Sequence, residues 1–196
     1  MNKIENTNIL VGEFLFPLLG FWFFGWDLYF IFLFVILDRA VKLILLQKRL
    51  QQGESTSIKK NRTFIYSFLV FTTEVGSMHL LVFVQNEHFP FYQSMESFWT
   101  YEEMGIQQGP LLLPMLIITE WLSIKREKAI KNYNGYQTVK KWNVQSIYKS
   151  VLLIVLVGAS FLIPLTETLL VHIFLSIYLF FVFLNLRNGK PSSISK

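Results

Sequence analysis

The sequence contains no cysteine and few charged residues. The absence of cysteine excludes disulfide bonds, thiolate metal sites, a cysteine nucleophile and palmitoylation. Charged residues make up 16% of the 196 positions, against about 25% in soluble domains. Hydrophobic residues make up 53%, phenylalanine alone occupies 20 positions, and the mean hydropathy is +0.42. This composition predicts an integral membrane protein of one domain rather than a soluble protein.

Six apolar stretches approach the roughly 20 residues that a helix needs to cross a hydrocarbon core of ~30 Å. They cover residues 8–24, 27–46, 64–84, 110–124, 147–163 and 166–186. Gly25 and Trp26 leave room for only a tight turn after the first stretch, and Pro164 marks a corner before the last. Only Lys3 is basic ahead of the first stretch, and no small-residue cleavage site follows it, so we expect no signal peptide. The sequence therefore predicts an all-α, polytopic bundle of about six transmembrane helices.

Lysine and arginine are concentrated in two of the loops and in the C-terminal tail. Residues 47–63 and 125–146 are rich in both, whereas residues 85–109 carry four glutamates and neither basic residue type. Because cytoplasmic loops of membrane proteins carry an excess of basic residues, we predict that both termini lie in the cytoplasm. Residues 85–109 then form the outer loop, and the expected location is the cytoplasmic (inner) membrane of a bacterium.

Two segments between the apolar stretches have amphipathic patterns. In the outer loop, "YQSMESFWTYEEM" mixes aromatic residues with acids, which favours a segment lying along the membrane interface over a lid above a site. Before the fifth stretch, "QTVKKWNVQSIYKS" mixes basic and apolar residues. This pattern indicates contact with anionic lipid headgroups, and we expect no nucleic-acid partner.

The predicted orientation places charged residues in the inner half of the bilayer, because a helix rises about 1.5 Å per residue. They are Glu13, Asp38, Arg39, Lys42 and Glu120. Asp38 and Lys42 are four positions apart and can pair along one helix, while Arg39 points about 100° away. An unpaired charge in hydrocarbon costs about 2.5–3.5 kcal/mol, so acids on neighbouring helices would stabilise Arg39. The alternative is that Arg39 and Lys42 extend to the inner headgroups and have no function beyond that.

Glu74 falls near the midpoint of the third stretch, beside Thr72 and Thr73. A carboxylate at that depth has to pair, be hydrated or be protonated. Glu74 is therefore the strongest functional candidate, against the alternative of a neutral structural acid held by hydrogen bonds.

Two histidines lie in the predicted outer half. His79 is about 140° round the helix from Glu74, and His172 lies near the outer end of the last helix. Imidazoles and carboxylates at graded depths could relay protons or bind a divalent metal. A metal site needs several convergent ligands, and no H-E-x-x-H or similar spacing is present, so we expect no metal and no cofactor. The alternative is an ordinary interfacial histidine, which is the usual role of a lone histidine at a helix end.

Residues 17–44, "PLLGFWFFGWDLYFIFLFVILDRAVKLI", resemble the start of an uncharacterised bacterial multipass family, domain of unknown function 6498. The shared features are a Pro and a Gly in the first helix, a Gly-Trp turn, and an acid within the apolar second helix. Asp38 takes the place of that acid, with Arg39 where the family has Asn. The resemblance covers about the first quarter of the chain and implies a helical hairpin there, without implying an activity.

Two classes of function compete on this evidence. One is a small transporter or proton- or ion-handling protein in which Glu74 titrates at mid-membrane. The other is a non-catalytic accessory or assembly subunit whose buried charges pair with a membrane-protein partner or a second copy. Pro110 and Pro114 in the short fourth stretch favour transport, because interrupted helices often line transport sites. No internal repeat is detectable, which argues the other way, and an enzyme is the least favoured class.

Overall fold

A computed structural model describes residues 15–51, 57–103, 106–129, 134–163 and 165–188. These residues form eight helices: α1 (Phe16–Phe23), α2 (Leu28–Ile44), α3 (Leu46–Leu50), α4 (Ser57–Gln85), α5 (Phe91–Thr100), α6 (Gln108–Lys128), α7 (Gly135–Leu162) and α8 (Glu167–Asn188). Two strands of two residues each, β1 (Glu102–Glu103) and β2 (Ile106–Gln107), pair in antiparallel fashion between α5 and α6. The prediction of an all-α fold is confirmed.

Two of the helices, α4 and α7, are long and apolar enough to cross a membrane by length and composition, over Lys59–Gln85 and Gly135–Leu162. A core helix of a soluble protein can pass the same criterion, but it is mostly buried. Here only 39% and 33% of the two apolar windows are buried. Large apolar side chains are exposed along both helices, including Ile65 at 60% and Val155 at 63%. These helices suggest a membrane protein, and the arrangement of six spans stays a prediction.

The described residues divide into two compact units, which belong to Met1–Ile31 with Leu165–Lys196 and to Phe32–Pro164. In the first unit, Gly25 ends the α1 turn with a left-handed φ of 65°. The backbone N–H of Trp26 then donates to the carbonyl of Gly20 at 3.0 Å. The Trp26 ring packs so closely on Gly20 that a Cβ at that position would collide with it. The Gly-Trp turn is thus built around a close contact that only glycine permits.

Glu167 is the second connection within this first unit. It begins α8, and its carboxylate accepts a hydrogen bond from the backbone N–H of Leu28 at 2.9 Å. Leu28 is the first residue of α2, so one of the unpaired N–H groups at that helix start is satisfied by a side chain distant in sequence. The corner predicted at Pro164 lies outside the described residues.

In the second unit, α7 begins at Gly135, well before the apolar stretch at 147–163. Asn134 caps it, its side-chain oxygen accepting from the N–H groups of Tyr136 and Gln137 at 3.1 and 3.3 Å. A Cβ at Gly135 would meet the carbonyl of Arg49, so the helix start packs directly on the backbone of α3. Much of the predicted inner loop is therefore helical, because the Asn134 cap starts the helix at Gly135 and Val139 of this first part packs on α3.

The packing of α3 and α4 on α7 forms the centre of the second unit. Leu46, Leu50 and Val139 make a buried apolar cluster between α3 and α7. Asn143 on α7 donates to the Ser67 hydroxyl of α4 at 2.8 Å, and this bond is buried. Because both groups are withdrawn from solvent, the bond fixes the register of the two helices as well as adding stability.

Candidate functional site

The second unit contains a small cavity with charged and polar walls, which we call the charged cavity. Its volume is about 40 Å³, room for a few water molecules. The lining residues come from α2, α3, α4 and α7: Arg39, Lys42, Leu43, Leu46, Ser67, Val70, Phe71, Glu74, Val139, Trp142, Asn143 and Ser146. On α4 and on α7 they occupy positions i, i+3, i+4 and i+7, so each of these two helices contributes a single face. Helical periodicity therefore brings these distant segments together.

Arg39 and Glu74 face each other across the charged cavity. The Nε of Arg39 lies 3.9 Å from Oε2 of Glu74, and the two side chains are only 11% and 3% exposed. The sequence predicted an inner-half arginine in need of an acid and a separate mid-membrane acid in need of a partner. In the structure each of the two residues is the partner of the other, because α2 and α4 present both side chains to one cavity. Each charge offsets part of the desolvation cost of the other.

Asp38 and Lys42 form the pair that their spacing predicts. The Nζ of Lys42 donates to Oδ2 of Asp38 at 2.7 Å along one face of α2. Their side chains are 14% and 17% exposed, so the pair is less withdrawn from solvent than Glu74 is. Lys42 also lines the charged cavity. One face of α2 thus presents two cations to this region.

Glu120 belongs to a second charged group, which we call the Arg49 triad. One guanidinium nitrogen of Arg49 contacts Glu120 at 2.8 Å, and the other contacts Glu127 at 3.1 Å. The same guanidinium lies 4.1 Å from the centre of the Trp142 ring, and Arg49 is only 1% exposed. Glu120 was expected beside Arg39, but its partner is an arginine of α3 that the sequence analysis had assigned to a basic loop.

The helical spacing of the residues in the Arg49 triad is visible in the sequence. Arg49 shares a face with Leu46, three residues earlier, and Leu50 follows it, so it lies on the buried side of a short helix. Glu120 and Glu127 are seven positions apart and share a face of α6. The number of basic residues in each loop does not reveal this spacing, because every lysine and arginine outside an apolar stretch is then taken to be exposed.

The two candidate histidines are not among the residues that line the charged cavity. The ring of His79 stacks on Phe91 with 5.7 Å between centroids, and its Nδ1 lies 2.9 Å from the carbonyl oxygen of Val75. His172 belongs to the first unit and is exposed, with Nδ1 2.6 Å from the carbonyl oxygen of Thr168. These contacts fit the alternative interpretation of ordinary structural histidines better than a relay.

Two further sequence predictions concern Glu13 and the prolines of the fourth stretch. Glu13, predicted in the inner-half cluster, lies outside the described residues. The helix interruption expected near Pro110 and Pro114 is absent, because α6 runs continuously through Pro114. In the described part of the chain, no group of three or more His, Asp or Glu side chains is placed to hold a metal ion.

Comparisons with protein-family models, with curated proteins and with solved structures found no match. The resemblance of residues 17–44 to an uncharacterised family stays a prediction.

Proposed function

We propose that this protein is a multi-pass protein of the bacterial cytoplasmic membrane that carries protons or small cations, with Glu74 as the group that exchanges the proton. The observation that supports this most strongly is the placement of Glu74. It is 2% exposed, lies on one of the two helices able to span a membrane, and faces both an arginine and a water-sized cavity.

The depth of Glu74 along its helix supports this proposal. Glu74 lies in the central part of the apolar segment Lys59–Gln85. In a bilayer that segment would hold Glu74 far from either headgroup layer, where ionisable residues are rare and mark ion or proton pathways. A buried ion pair that served only to stabilise the fold could be replaced by two well-packed apolar side chains at little or no cost.

The polar walls of the charged cavity also support the proposal. Ser67, Asn143 and Ser146 supply hydroxyl and amide groups beside Glu74. Such groups can hold water next to the carboxylate, and water is the simplest route for a proton to reach a buried acid. The cavity is too small for an organic substrate of ordinary size, since ligand pockets typically measure about 300–1,000 Å³.

The Arg39–Glu74 pair couples protonation to helix contacts. When Glu74 is ionised it attracts Arg39 and holds α2 against α4. A proton on Glu74 removes that charge and weakens the attraction, so the two protonation states favour different contacts between these helices. A carrier requires such a link between the occupancy of its site and its conformation.

The accessory-subunit alternative rests on buried charges that need a partner chain. In the described residues, Arg39 pairs with Glu74, Lys42 with Asp38, and Arg49 with two glutamates. Since these charges are compensated within the chain, they supply no argument for a partner.

Proton flux into liposomes tests the proposal. The full chain is reconstituted with a pH-sensitive dye inside, and flux is driven by a potassium gradient with valinomycin. We expect Glu74→Gln to reduce flux to the level of empty liposomes, because an amide cannot exchange a proton at this site. The control is Glu87→Gln, which changes an exposed acid and should leave flux unchanged.

The same variants separate the alternatives. Folding is checked by size-exclusion chromatography and thermal unfolding. A folded Glu74→Gln protein with unchanged flux would contradict the proposal. If the variant instead loses a protein that copurifies with the parent, the accessory-subunit interpretation is favoured.

A further inference from the structure

A second, larger cavity lies between α4 and α7, and we call it the basic pocket. Its volume is about 410 Å³, within the range of sites for small ligands and lipid headgroups. Lys59, Arg62 and Tyr66 line it from α4. Tyr136 and Lys140 line it from α7. On both helices the residues are three or four positions apart, so two single faces enclose the pocket.

The charge of the basic pocket has one sign. Three of its lining residues are cations and none is an acid. Among the ion pairs between described residues, none involves Lys59, Arg62 or Lys140. These cations therefore differ from Arg39 and Arg49, which form ion pairs with glutamates of the same chain. A pocket lined in this way attracts an anion.

The basic and hydroxyl side chains that line the basic pocket are of types that bind phosphate. An arginine guanidinium can donate two parallel hydrogen bonds to a phosphate, and lysine contributes a compact positive charge. Tyr66 and Tyr136 also line the pocket, and their hydroxyls are neutral donors. Tyrosine is also enriched at the membrane interface, where its ring lies in apolar surroundings and its hydroxyl in water.

The position of the basic pocket indicates which phosphate it meets. It lies at the beginning of both α4 and α7, the two helices able to span a membrane. In the predicted orientation this end faces the cytoplasm, where anionic lipid headgroups attract basic pockets between helices. The pocket would then lie at headgroup depth.

An exposed apolar row leads away from the pocket along α7. It starts at Val144, which lines the pocket and is 42% exposed, and continues through Tyr148, Val151 and Val155, which are 59%, 50% and 63% exposed. These positions recur every three or four residues and share one face. A phosphate seated among the cations would therefore have an apolar surface beside it for an acyl chain, which a soluble phosphate does not use.

We propose that the basic pocket binds the phosphate of an anionic phospholipid, held by Lys59, Arg62 and Lys140, with an acyl chain along the exposed row of α7. This proposal shares membrane insertion with the proposed function but does not depend on proton exchange at Glu74. The two can fail separately, since one is measured by lipid binding and the other by flux.

Lipid binding is tested on the full chain, purified and stripped of lipid in detergent, by native mass spectrometry. Phosphatidylglycerol is titrated as the anionic probe and phosphatidylcholine as the zwitterionic one. We expect phosphatidylglycerol to bind at least about tenfold more tightly, because each basic residue near an anionic headgroup contributes about a factor of five. Equal binding of the two lipids would overturn the proposal.

Matched variants locate the site. The triple variant Lys59→Ala/Arg62→Ala/Lys140→Ala should lose the preference for phosphatidylglycerol. The control, Lys60→Ala/Arg126→Ala/Lys141→Ala, removes the same residue types from positions that do not line the pocket and should keep the preference. Equal losses in the two variants would mean diffuse surface attraction and would contradict the assignment. Should the first variant fail to fold, Arg62→Gln/Lys140→Gln removes two of the charges with less change in volume.

Inorganic phosphate distinguishes a lipid from a soluble ligand. If the acyl chain contributes as proposed, phosphate at the concentration of the lipid should leave phosphatidylglycerol bound. Displacement of the lipid by equimolar phosphate would assign the pocket to a soluble phosphate instead and would overturn the lipid proposal.

Discussion

The charged cavity and the Arg49 triad each pair an arginine with glutamate from another helix. They differ in the distances between the charged groups and in the space beside them. Arg49 contacts two carboxylates at 2.8 and 3.1 Å under a tryptophan ring and is 1% exposed. Arg39 has its Nε 3.9 Å from Glu74, beside a cavity large enough for water. Trp142 contacts both groups, since it lines the charged cavity and its ring lies 4.1 Å from the Arg49 guanidinium.

The difference bears on which buried acid the proposed function assigns to proton exchange. The Arg49 triad sets one guanidinium against two buried carboxylates, and loss of the arginine would leave both acids without their cation. The charged cavity has room for water beside its charged walls. This room supports the proposed assignment of proton exchange to Glu74 rather than to the acids of the triad.

The largest effect should come from Arg49→Met, which removes the cation between two buried acids. Glu120 and Glu127 would be left without compensation, and we expect the free energy of unfolding to fall by about 3–5 kcal/mol. Thermal and denaturant unfolding in detergent measure it. Lys48→Met is the control, because Lys48 is exposed on the same short helix and should change little. An Arg49→Met protein as stable as the parent would show that the triad is not a structural element.

A smaller effect is expected from Arg39→Gln, which breaks the pair at the charged cavity. Water can hydrate the remaining carboxylate, so the loss should be about 1.5–3 kcal/mol, the scale of a hydrogen bond to a charged group. The double variant Arg39→Gln/Glu74→Gln should regain part of this stability, because no uncompensated charge remains. If the two substitutions were simply additive in unfolding experiments, Arg39 and Glu74 would not be coupled and the comparison between the clusters would fail.

The smallest effect should come from Asp38→Asn, on the partly exposed pair of α2. Pairs of this spacing contribute about 0.2–0.5 kcal/mol, and salt screens them. We therefore expect a slight loss of stability at low salt that disappears at high salt, measured by unfolding in both conditions. A loss comparable to that of Arg39→Gln and independent of salt would place Asp38 with the charged cavity instead.

Several parts of this description were predictable from the sequence. Apolar stretches long enough to span a membrane indicated an all-helical chain, and the spacing of Asp38 and Lys42 predicted their ion pair. The partner of Arg39 was not predictable in the same way, because Glu74 lies on another helix and the two were assigned to different depths. Arg49 was missed because it follows the apolar stretch of α2 directly and resembles the first basic residues of a loop.

What the sequence by itself determined is helical structure, the separation of basic from acidic loops, and the candidate acid Glu74. These properties depend on residues within a few turns of one another, so composition and periodicity are enough. Only the tertiary structure decided that Glu74 faces Arg39 and that Glu120 faces Arg49. Such pairs require side chains from separate helices to point into the same small volume, and that depends on how the helices pack.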